Sequence, residues 1–382
     1  MKNIFIIPAR SGSKGIANKN IKPINGIPML VWSIIHAKYM SQDNDIICVS
    51  SDSADYLSIA NKWGADTHLR SIKLAQDNTD VEPVLIEVCK NYKIEKNDNI
   101  ILLQPTSPLR SKKTLDKYKS LINKNSKSIL SLSKTYGFEW KKNSNHFIRN
   151  YKKRLRRQEM DPLFIENGSF YLNKYDLFLK NTKNNDTNRN DDVSEGVVLD
   201  EIESMQIDNE QELEIIDFIS KKFNSQWLND IFQDNKIKCI FSDIDGVFSK
   251  NQKTLKSNER IYSTLDSSAI KRWTDSNNLF FFISSETIPH SKDLFSKLNI
   301  TDSIFNSKDK LSDVKKLLEK YNLENDDCIY LGNDEPDIAC LNHFNISFVP
   351  IDANPSVSRE SKFIIEKNGG DGFLQDVINL II

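Results

Sequence analysis

Residues 4–15 read IFIIPARSGSKG, and this stretch decides how the first half of the chain folds. Four large apolar residues predict a buried strand. The small residues and glycines after it allow successive backbone N–H groups to point at one anion. Arg10, Lys14 and Lys19 add three cations. Because α/β sheets bind ligands at the carboxyl ends of their strands, we interpret the stretch as a first strand followed by a turn that can surround a triphosphate.

Apolar runs alternate with helix-like segments along the whole chain. The predicted strands are residues 4–7, 46–50, 100–103, 128–132, 239–241, 280–284, 328–331 and 346–350. The predicted helices are residues 28–39, 53–63, 309–321 and 336–342. This alternation is typical of βαβ units and mostly parallel sheets. A length of 382 residues suits two cores, so we predict two α/β domains, 1–228 and 236–382, joined by the polar stretch 229–236.

The composition excludes several classes of protein. Lys and Arg total 52 against 53 Asp and Glu, so no global charge favours nucleic acid or an acidic membrane surface. No apolar run reaches the roughly 18 residues that a transmembrane helix needs, and the N-terminus does not resemble a signal peptide. The five cysteines contain no C-x-x-C pair. We therefore expect free thiols and a cytoplasmic location.

Two segments carry weaker signals. Residues 181–196 are rich in Asn, Asp, Thr and Ser, which predicts a surface loop. Residues 141–157 are basic and lack a clear period. Such a run is typical of a solvated face, and the alternative is an arm that reaches an anionic ligand or a partner subunit.

Ordered motifs across residues 1–223 carry a family resemblance. They are IPARSGSKGI at 7–16, KNI at 19–21, VSSD at 49–52, WGAD at 63–66, LAQD at 74–77, LQPTSPLR at 103–110, RQE at 157–159 and ENGSFY at 166–171. In this order they resemble the CMP-N-acylneuraminate synthetases, the cytidylyltransferases that activate sialic acid. Several ordered motifs are more specific than any single glycine-rich loop.

The resemblance implies a Rossmann-like, GT-A-like nucleotidyltransferase domain that transfers CMP from CTP to a sialic-acid-like sugar acid. It implies contact of Gln104 with the sugar acid, near Tyr171, and of Arg157 with the acid's carboxylate across a dimer interface. A homodimer or homotetramer is expected. The implied nucleotide-binding residues are Arg10, Ser13, Lys14, Lys19, Asn20 and Arg70. Arg10 and Lys19 are also the implied catalytic cations.

Magnesium is the expected cofactor, and the expected metal motif departs from the family pattern. The family carries Asp-Ile-Asp where this chain has Gln206-Ile207-Asp208. Residues two apart on a strand share a face, so Gln206 and Asp208 would point together. Asp208 is the expected catalytic metal ligand, whereas Gln206 offers only a neutral oxygen. Weaker metal affinity, a metal held mainly by CTP, and a changed substrate all remain open.

A second set of ordered motifs begins with CIFSDIDGV at 239–247. It continues with FISS at 282–285, Lys308 and Lys310, LGNDEPD at 331–337 and KNGGDG at 367–372. The set resembles the haloacid-dehalogenase (HAD) superfamily, especially the phosphatases of Kdo 8-phosphate and the domain fused to animal synthetases. We therefore expect a HAD-like Rossmannoid fold for the second domain.

The HAD resemblance implies Asp243 as nucleophile and Asp245 as acid/base. Ser284 would contact phosphate and Lys310 would stabilise charge. The implied magnesium ligands are Asp243, Asp245 and Asp334, with Asp337 nearby. Two departures are Asn333, where the phosphatases carry Asp, and Ser285-Glu286, which replaces their Gly-Arg.

Three hypotheses follow for the whole chain. It is a bifunctional phosphatase and cytidylyltransferase, or a cytidylyltransferase whose second domain drives oligomerisation, or a binding protein with two degenerate sites. The intact set Arg10, Lys14 and Lys19 argues against the last. The sequence leaves the sugar acid open among N-acetylneuraminate, Kdn, legionaminate, pseudaminate and Kdo.

Overall fold

The computed structural model describes residues 1–13, 15–182, 190–233, 237–252, 260–287, 292–300 and 302–382. These residues form two compact units. The first unit is Met1–Lys22 with Met29–Asp217, and the second unit is Pro23–Pro28 with Phe218–Ile382. The domain boundaries 1–228 and 236–382 stay a prediction, since packing groups residues 218–228 and the short segment Pro23–Pro28 with the second unit.

Strands and helices alternate along both units, as the sequence predicts. The strands are β1 (Asn3–Pro8), β2 (Pro23–Ile24), β3 (Ile27–Pro28), β4 (Ile46–Ser51), β5 (Asp66–Leu69), β6 (Asn99–Leu103), β7 (Ser128–Thr135), β8 (Trp140–Asn143), β9 (His146–Arg149), β10 (Leu163–Lys174), β11 (Glu195–Leu199), β12 (Cys239–Ser242), β13 (Leu279–Ile283), β14 (Ser303–Ile304), β15 (Cys328–Leu331), β16 (Ile346–Pro350) and β17 (Phe363–Ile365). The helices are α1 (Met29–Met40), α2 (Ala54–Lys62), α3 (Val81–Asn91), α4 (Lys112–Asn123), α5 (Tyr175–Thr182), α6 (Glu210–Phe223), α7 (Ser225–Gln233), α8 (Thr264–Asp275), α9 (Lys292–Lys297), α10 (Lys310–Tyr321), α11 (Ile338–His343), α12 (Pro355–Ser358) and α13 (Phe373–Ile381).

The first unit is built on a seven-stranded sheet in the order β11-β7-β10-β6-β1-β4-β5. Only β10 runs antiparallel to its neighbours. Ile4, Phe5, Ile6 and Ile7 of β1 are completely buried. Because successive side chains of a strand point to opposite faces, the sheet is covered on both faces at β1, as predicted. The carboxyl ends of β6, β1, β4 and β5 therefore meet at one edge.

The second unit contains a six-stranded parallel sheet in the order β14-β13-β12-β15-β16-β17. Its core packs Phe241 and Phe281 of the central strands with Tyr330 and Phe344. The carboxyl ends of β13, β12 and β15 are adjacent, which places the predicted HAD motifs side by side.

Some local predictions differ from the structure. Residues 229–233, predicted as part of a polar join, belong to helix α7, whose Trp227, Leu228 and Phe232 are buried. The basic stretch 141–157 contains the hairpin β8–β9. Of the predicted surface loop 181–196, residues 183–189 lie outside the described residues, and residues 195 and 196 begin β11.

The segment Pro23–Pro28 is a hairpin that the sequence analysis did not predict. Asn25 and Gly26 have φ values of 49° and 74°, which match the left-handed pair that a tight hairpin turn requires. Ile364 of β17 donates its backbone N–H to the carbonyl oxygen of Gly26 at 2.8 Å. The hairpin is therefore part of the second unit.

Two further features concern the cysteines and the helices. All five cysteines are buried and free. Among the helices in the described part of the chain, none combines the length and hydrophobicity required to span a lipid bilayer.

Candidate active sites

A cavity of about 280 Å³ opens at the carboxyl edge of the first sheet. Most of the predicted CTP and sugar-acid residues line it. They are Arg10, Ser13, Lys19, Asn20, Arg70, Gln104 and Asp208, together with Gln206. They come from the loops after β1, β5 and β6 and from the segment before α6, so parallel strand ends bring together residues that are far apart in sequence.

The turn after β1 is fixed at several points. Asp52, which follows β4, accepts hydrogen bonds from the backbone N–H of Ser11 and from its hydroxyl, both at 2.8 Å. Asn20 donates from its amide to the carbonyl oxygen of Arg10 at 3.0 Å. Arg10 forms an ion pair with Asp77 at 2.6 Å. The turn is therefore held by contacts with three other residues.

Lys19 connects this turn to the predicted metal motif. Its ammonium group donates to the carbonyl oxygen of Ile207 at 2.8 Å and lies 3.2 Å from an Asp208 carboxylate oxygen. Lys19 is largely buried, whereas 70% of the Asp208 side chain is exposed. The ammonium thus has a fixed position, and the carboxylate remains open to the cavity.

Arg70 is the most deeply buried cation of the cavity, with an exposed fraction of 5%. It donates to the carbonyl oxygen of Ser50 at 2.8 Å and to the Ser50 hydroxyl at 3.3 Å. That hydroxyl also hydrogen-bonds His68 Nδ1 at 3.1 Å. Burial lowers the pKa of Arg70, and the charge of Asp52 opposes this effect. The arginine is therefore oriented before any ligand arrives.

Gln104 and Gln206 meet at Gly168. A Cβ at Gly168 would lie 2.8 Å from Gln104 Oε1 and 2.8 Å from Gln206 Nε2, and Gly168 has a φ of 75°. Only glycine leaves space for both amides there. Gln206 and Asp208 share the cavity as predicted, but the stretch that carries them is irregular and not a strand.

Two of the predicted residues, Tyr171 and Arg157, do not line this cavity. Lys14 lies outside the described residues. Tyr171 is buried in the core of the first unit, where its hydroxyl donates to Glu166. Arg157 is exposed, 3.9 Å from Glu201, with its guanidinium over the ring of Tyr136. The assigned roles of Tyr171 and Arg157 in sugar binding therefore gain no support from their surroundings.

A second cavity, of about 450 Å³, lies at the carboxyl edge of the second sheet. It is lined by most of the residues predicted for the HAD-like site, whereas Asp337 is completely buried and does not line it. The lining residues are Asp243, Asp245, Ser284, Lys310 and Asp334, joined by Lys250, Glu286 and Asn333. Ser284 accepts from the backbone N–H of Glu286 at 3.1 Å, so the Ser285-Glu286 departure also lies at this cavity.

Lys310 is shared between two buried carboxylates. Its ammonium lies 3.0 Å from Asp243 and 2.7 Å from Asp337. Asp337 also accepts from the hydroxyl of Tyr330 and from the backbone N–H of Asn333. Burial, followed by the charge of Asp337, raises the pKa of Asp243 to about 7, while Lys310 lowers it. Asp337 therefore positions Lys310 and has little capacity left for a metal.

Asp245 is held by a residue that the sequence analysis missed. Arg260 donates to both oxygens of the Asp245 carboxylate, at 2.6 and 2.9 Å, and to Glu286 at 3.2 Å. No motif predicts this contact, because Arg260 lies 15 residues beyond Asp245 in a segment without a pattern. The Asp245 carboxylate, predicted as a metal ligand and acid/base, therefore forms a bidentate ion pair.

Asn333 supplies an oxygen atom without a partner. Its side chain is 4% exposed and lines the cavity, and its Oδ1 atom is buried without a hydrogen bond in the described part of the protein. Leaving such an acceptor unsatisfied costs roughly 1–3 kcal/mol. A divalent cation beside Asp243 would satisfy it, so the residues fit a metal, although the described residues contain no group of three His, Cys, Asp or Glu able to hold one.

Comparison with known proteins agrees with this geometry. The cytidylyltransferase family model matches residues 4–237, more than half of the chain. The chain belongs to the cytidylyltransferase family. A second model, described as haloacid dehalogenase-like hydrolase, matches residues 200–376. The resemblances to a cytidylyltransferase and to the haloacid-dehalogenase superfamily are thus confirmed.

Relatives of this cytidylyltransferase include N-acylneuraminate cytidylyltransferase A of Danio rerio, which is 27% identical over 99% of this chain and 88% of the relative. CMP-N,N'-diacetyllegionaminic acid synthase of Legionella pneumophila is 34% identical over 35% of this chain and 58% of the relative. The crystal structure of 3-deoxy-D-manno-octulosonate 8-phosphate phosphatase from Moraxella catarrhalis is 24% identical, covering 40% of this chain and 90% of that chain, with a TM-score of 0.38.

Proposed function

We propose that this cytidylyltransferase transfers CMP from CTP to the anomeric hydroxyl of a sialic-acid-type nine-carbon 2-keto sugar acid and releases pyrophosphate. The observation that carries the proposal is the convergence of Arg10, Lys19 and Arg70 on one cavity that Gln104 also lines. The names of the relatives in zebrafish and Legionella support an acid of the sialic or legionaminic type.

The proposed reaction is a displacement at the α-phosphorus of CTP. The sugar hydroxyl forms a new P–O bond and loses its proton, and the bond from the α-phosphorus to the bridging oxygen of pyrophosphate breaks. Lys19 and Arg10 would neutralise charge that develops on the departing pyrophosphate. Alignment and charge neutralisation account for most of the rate enhancement in such transfers. The fixed ammonium of Lys19 suits this role, because it needs no reorganisation.

Magnesium fits the first cavity through Asp208 and Gln206. The Asp208 carboxylate is largely exposed, and the Gln206 amide lines the same cavity. Two protein oxygens are few for magnesium, which commonly takes its other ligands from substrate phosphates and water. The bound ion would supply charge neutralisation on the phosphates. Of the alternatives left open by Gln206, we therefore favour a metal held mainly by CTP.

For the second unit we propose a phosphomonoesterase of sugar-acid phosphates, with Asp243 as nucleophile. Support comes from Lys310, which lies 3.0 Å from Asp243, and from the Oδ1 atom of Asn333, which has no hydrogen-bond partner among the described residues. When bound, magnesium would offset repulsion between the Asp243 carboxylate and a phosphate. The alternative is that the second unit is an oligomerisation module. The ion pair between Arg260 and Asp245 favours this alternative, because it engages the carboxylate predicted as acid/base. Turnover of a phosphomonoester would separate the two.

We also propose a homo-oligomer, a dimer or tetramer, in a reducing compartment such as the cytoplasm. The hairpin β8–β9 exposes Phe147 and Ile148, and β10 exposes Phe164 and Ile165. Each pair is contiguous in sequence, and exposed apolar surface is typical of a protein interface. The five buried free thiols agree with a reducing compartment.

The proposed transfer is tested by pyrophosphate release from purified protein with each nucleoside triphosphate and a panel of sugar acids. We expect release that depends on CTP and on one acid, and a loss of about 100-fold or more in kcat for Lys19→Met, since transition-state charge is left uncompensated. Lys90→Met, on the exposed surface of α3, is the matched control. Equal rates for both variants, or no release with any acid, would refute the assignment.

A further inference from the structure

The loop after β4 carries a carboxylate that the proposed chemistry does not use. Asp52 follows β4, which pairs in parallel with β1, so that Ala9 donates its backbone N–H to the carbonyl oxygen of Ser50 at 2.9 Å. This pairing places Asp52 beside the turn after β1. Asp52 is absent from the residues that line the first cavity. A carboxylate so close to a triphosphate site needs an explanation, because it would repel the phosphates.

Ser11 provides that explanation. Asp52 accepts from the Ser11 backbone N–H with one oxygen and from the Ser11 hydroxyl with the other, both at 2.8 Å. Burial acts to raise the pKa of Asp52, but the hydrogen bonds from Ser11, a hydrogen bond from its own backbone and the charge of Arg70 together hold the pKa below its ordinary value. The carboxylate is therefore ionised and both of its oxygens are engaged by the turn.

The contact also determines which N–H groups face the ligand. Because the Ser11 N–H is directed at Asp52, it is unavailable to a phosphate, and the orientation of the following residues is set by this anchor. Ser13 and Lys19, further along the same loop, do line the cavity. The anchor thus decides where those groups lie relative to Arg70, which follows β5.

We propose that Asp52 is a positioning residue that fixes the triphosphate-binding turn through Ser11. It acts by geometry and not by contact with CTP, and its charge is matched by nearby Arg70. This inference rests on the proposed function, since it assigns Asp52 to the CTP subsite of that same cavity.

Variants of Asp52 distinguish the effect of its hydrogen bonds to Ser11 from the effect of its charge. Asp52→Asn keeps an acceptor for the Ser11 N–H and can donate to the Ser11 hydroxyl, so we expect the Kd and KM for CTP within about threefold of wild type. Asp52→Ala loses both bonds, and CTP affinity should fall roughly 10- to 100-fold, because two hydrogen bonds that fix the turn are removed together. The KM for the sugar acid should stay unchanged. Asp55→Asn, an exposed carboxylate at the start of α2, is the control.

Each outcome decides the proposal. Wild-type CTP affinity in Asp52→Ala, or equal losses in Asp52→Asn and Asp52→Ala, would overturn it, because the second result makes charge and not geometry the cause. If Asp52→Ala does not fold, Ser11→Ala, which removes one of the two bonds, should give an intermediate loss of CTP affinity, and no loss would overturn the proposal. Titration calorimetry with CTP measures affinity without turnover. If the protein binds CTP normally but transfers CMP to no acid, the proposed reaction is refuted and the proposal for Asp52 is not.

Discussion

Asn333 is a neutral residue at a cavity otherwise rich in carboxylates. Asp243, Asp334 and Glu286 line the same cavity, and within the described part of the chain the buried Oδ1 atom of Asn333 has no hydrogen-bond partner. An amide oxygen can ligate magnesium, but it contributes no charge to the affinity. The residue therefore suits a site that binds a divalent cation weakly.

We expect Asn333→Asp to tighten magnesium binding by on the order of tenfold, because an added ligand charge strengthens the attraction to a hard cation. Without magnesium, the same variant should be less stable, since it adds a like charge near Asp243. Calorimetric titration with magnesium and thermal unfolding with and without the ion measure both effects.

The control Asn251→Asp adds the same charge at an exposed position of that cavity. Asp243→Asn removes the proposed nucleophile and should abolish any phosphomonoester hydrolysis in either background. If Asn251→Asp tightens magnesium binding as much as Asn333→Asp does, Asn333 is not a ligand.

The turn after β1 acts as one element whose position depends on Gly15. A Cβ at Gly15 would clash with the backbone carbonyl oxygen of Asp208, whereas a Cβ at Gly12 meets nothing within 4 Å. Since the carbonyl belongs to the backbone, it cannot rotate away as a side chain would. Gly15 therefore allows the close approach that brings Asp208 to Lys19.

We expect Gly15→Ala to push the segment of Asp208 away from Lys19, which donates to the neighbouring carbonyl of Ile207. Displacement of a catalytic group by about 1 Å can cost on the order of 100-fold in rate, so CMP transfer should fall to that extent. Gly12→Ala should remain within about twofold, because its surroundings are open. Steady-state kinetics of both variants checks this, and equal losses would contradict it.

At the scale of strands and loops, the sequence predicts well the features that burial determines. Strands such as β1, β6, β12 and β15 read as continuous apolar runs because a parallel sheet buries both of their faces. The loops after them carry the predicted residues to one edge for the same topological reason. The contacts that those residues make are determined by three-dimensional packing and leave no pattern in the sequence. Asp52 stands in a recognised motif without an evident role, and Arg260 stands in none.

The hairpin β2–β3 shows another limit of prediction from the sequence. Asn25-Gly26 is a strong hairpin signal, and the sequence alone could have predicted the turn. Its assignment to the second unit could not be predicted, because two-residue strands carry too little apolar pattern to indicate a partner. The contact of Gly26 with Ile364 establishes it.

In the molecule as a whole, the two compact units do not correspond to two continuous stretches of the sequence. The chain leaves the first unit at Lys22, returns to it at Met29 and leaves it again at Asp217. Ile24 and Ile27 of the hairpin are completely buried. A fragment that ends near the predicted boundary at 228 would therefore keep the hairpin but lose most of the unit to which it belongs.

Gly26→Ala tests whether this N-terminal hairpin stabilises the second unit. Gly26 has a φ of 74°, and a Cβ there would lie 2.6 Å from the carbonyl oxygen of Ile364. The left-handed backbone costs a non-glycine residue about 1–2 kcal/mol, and the strained contact weakens the bond from Ile364. We expect faster amide hydrogen exchange in β16 and β17 than in wild type, with β1 and β4 unchanged. Gly137→Ala, which meets nothing within 4 Å, is the control. Faster exchange confined to β1 and β4 would show that the hairpin supports the first unit instead.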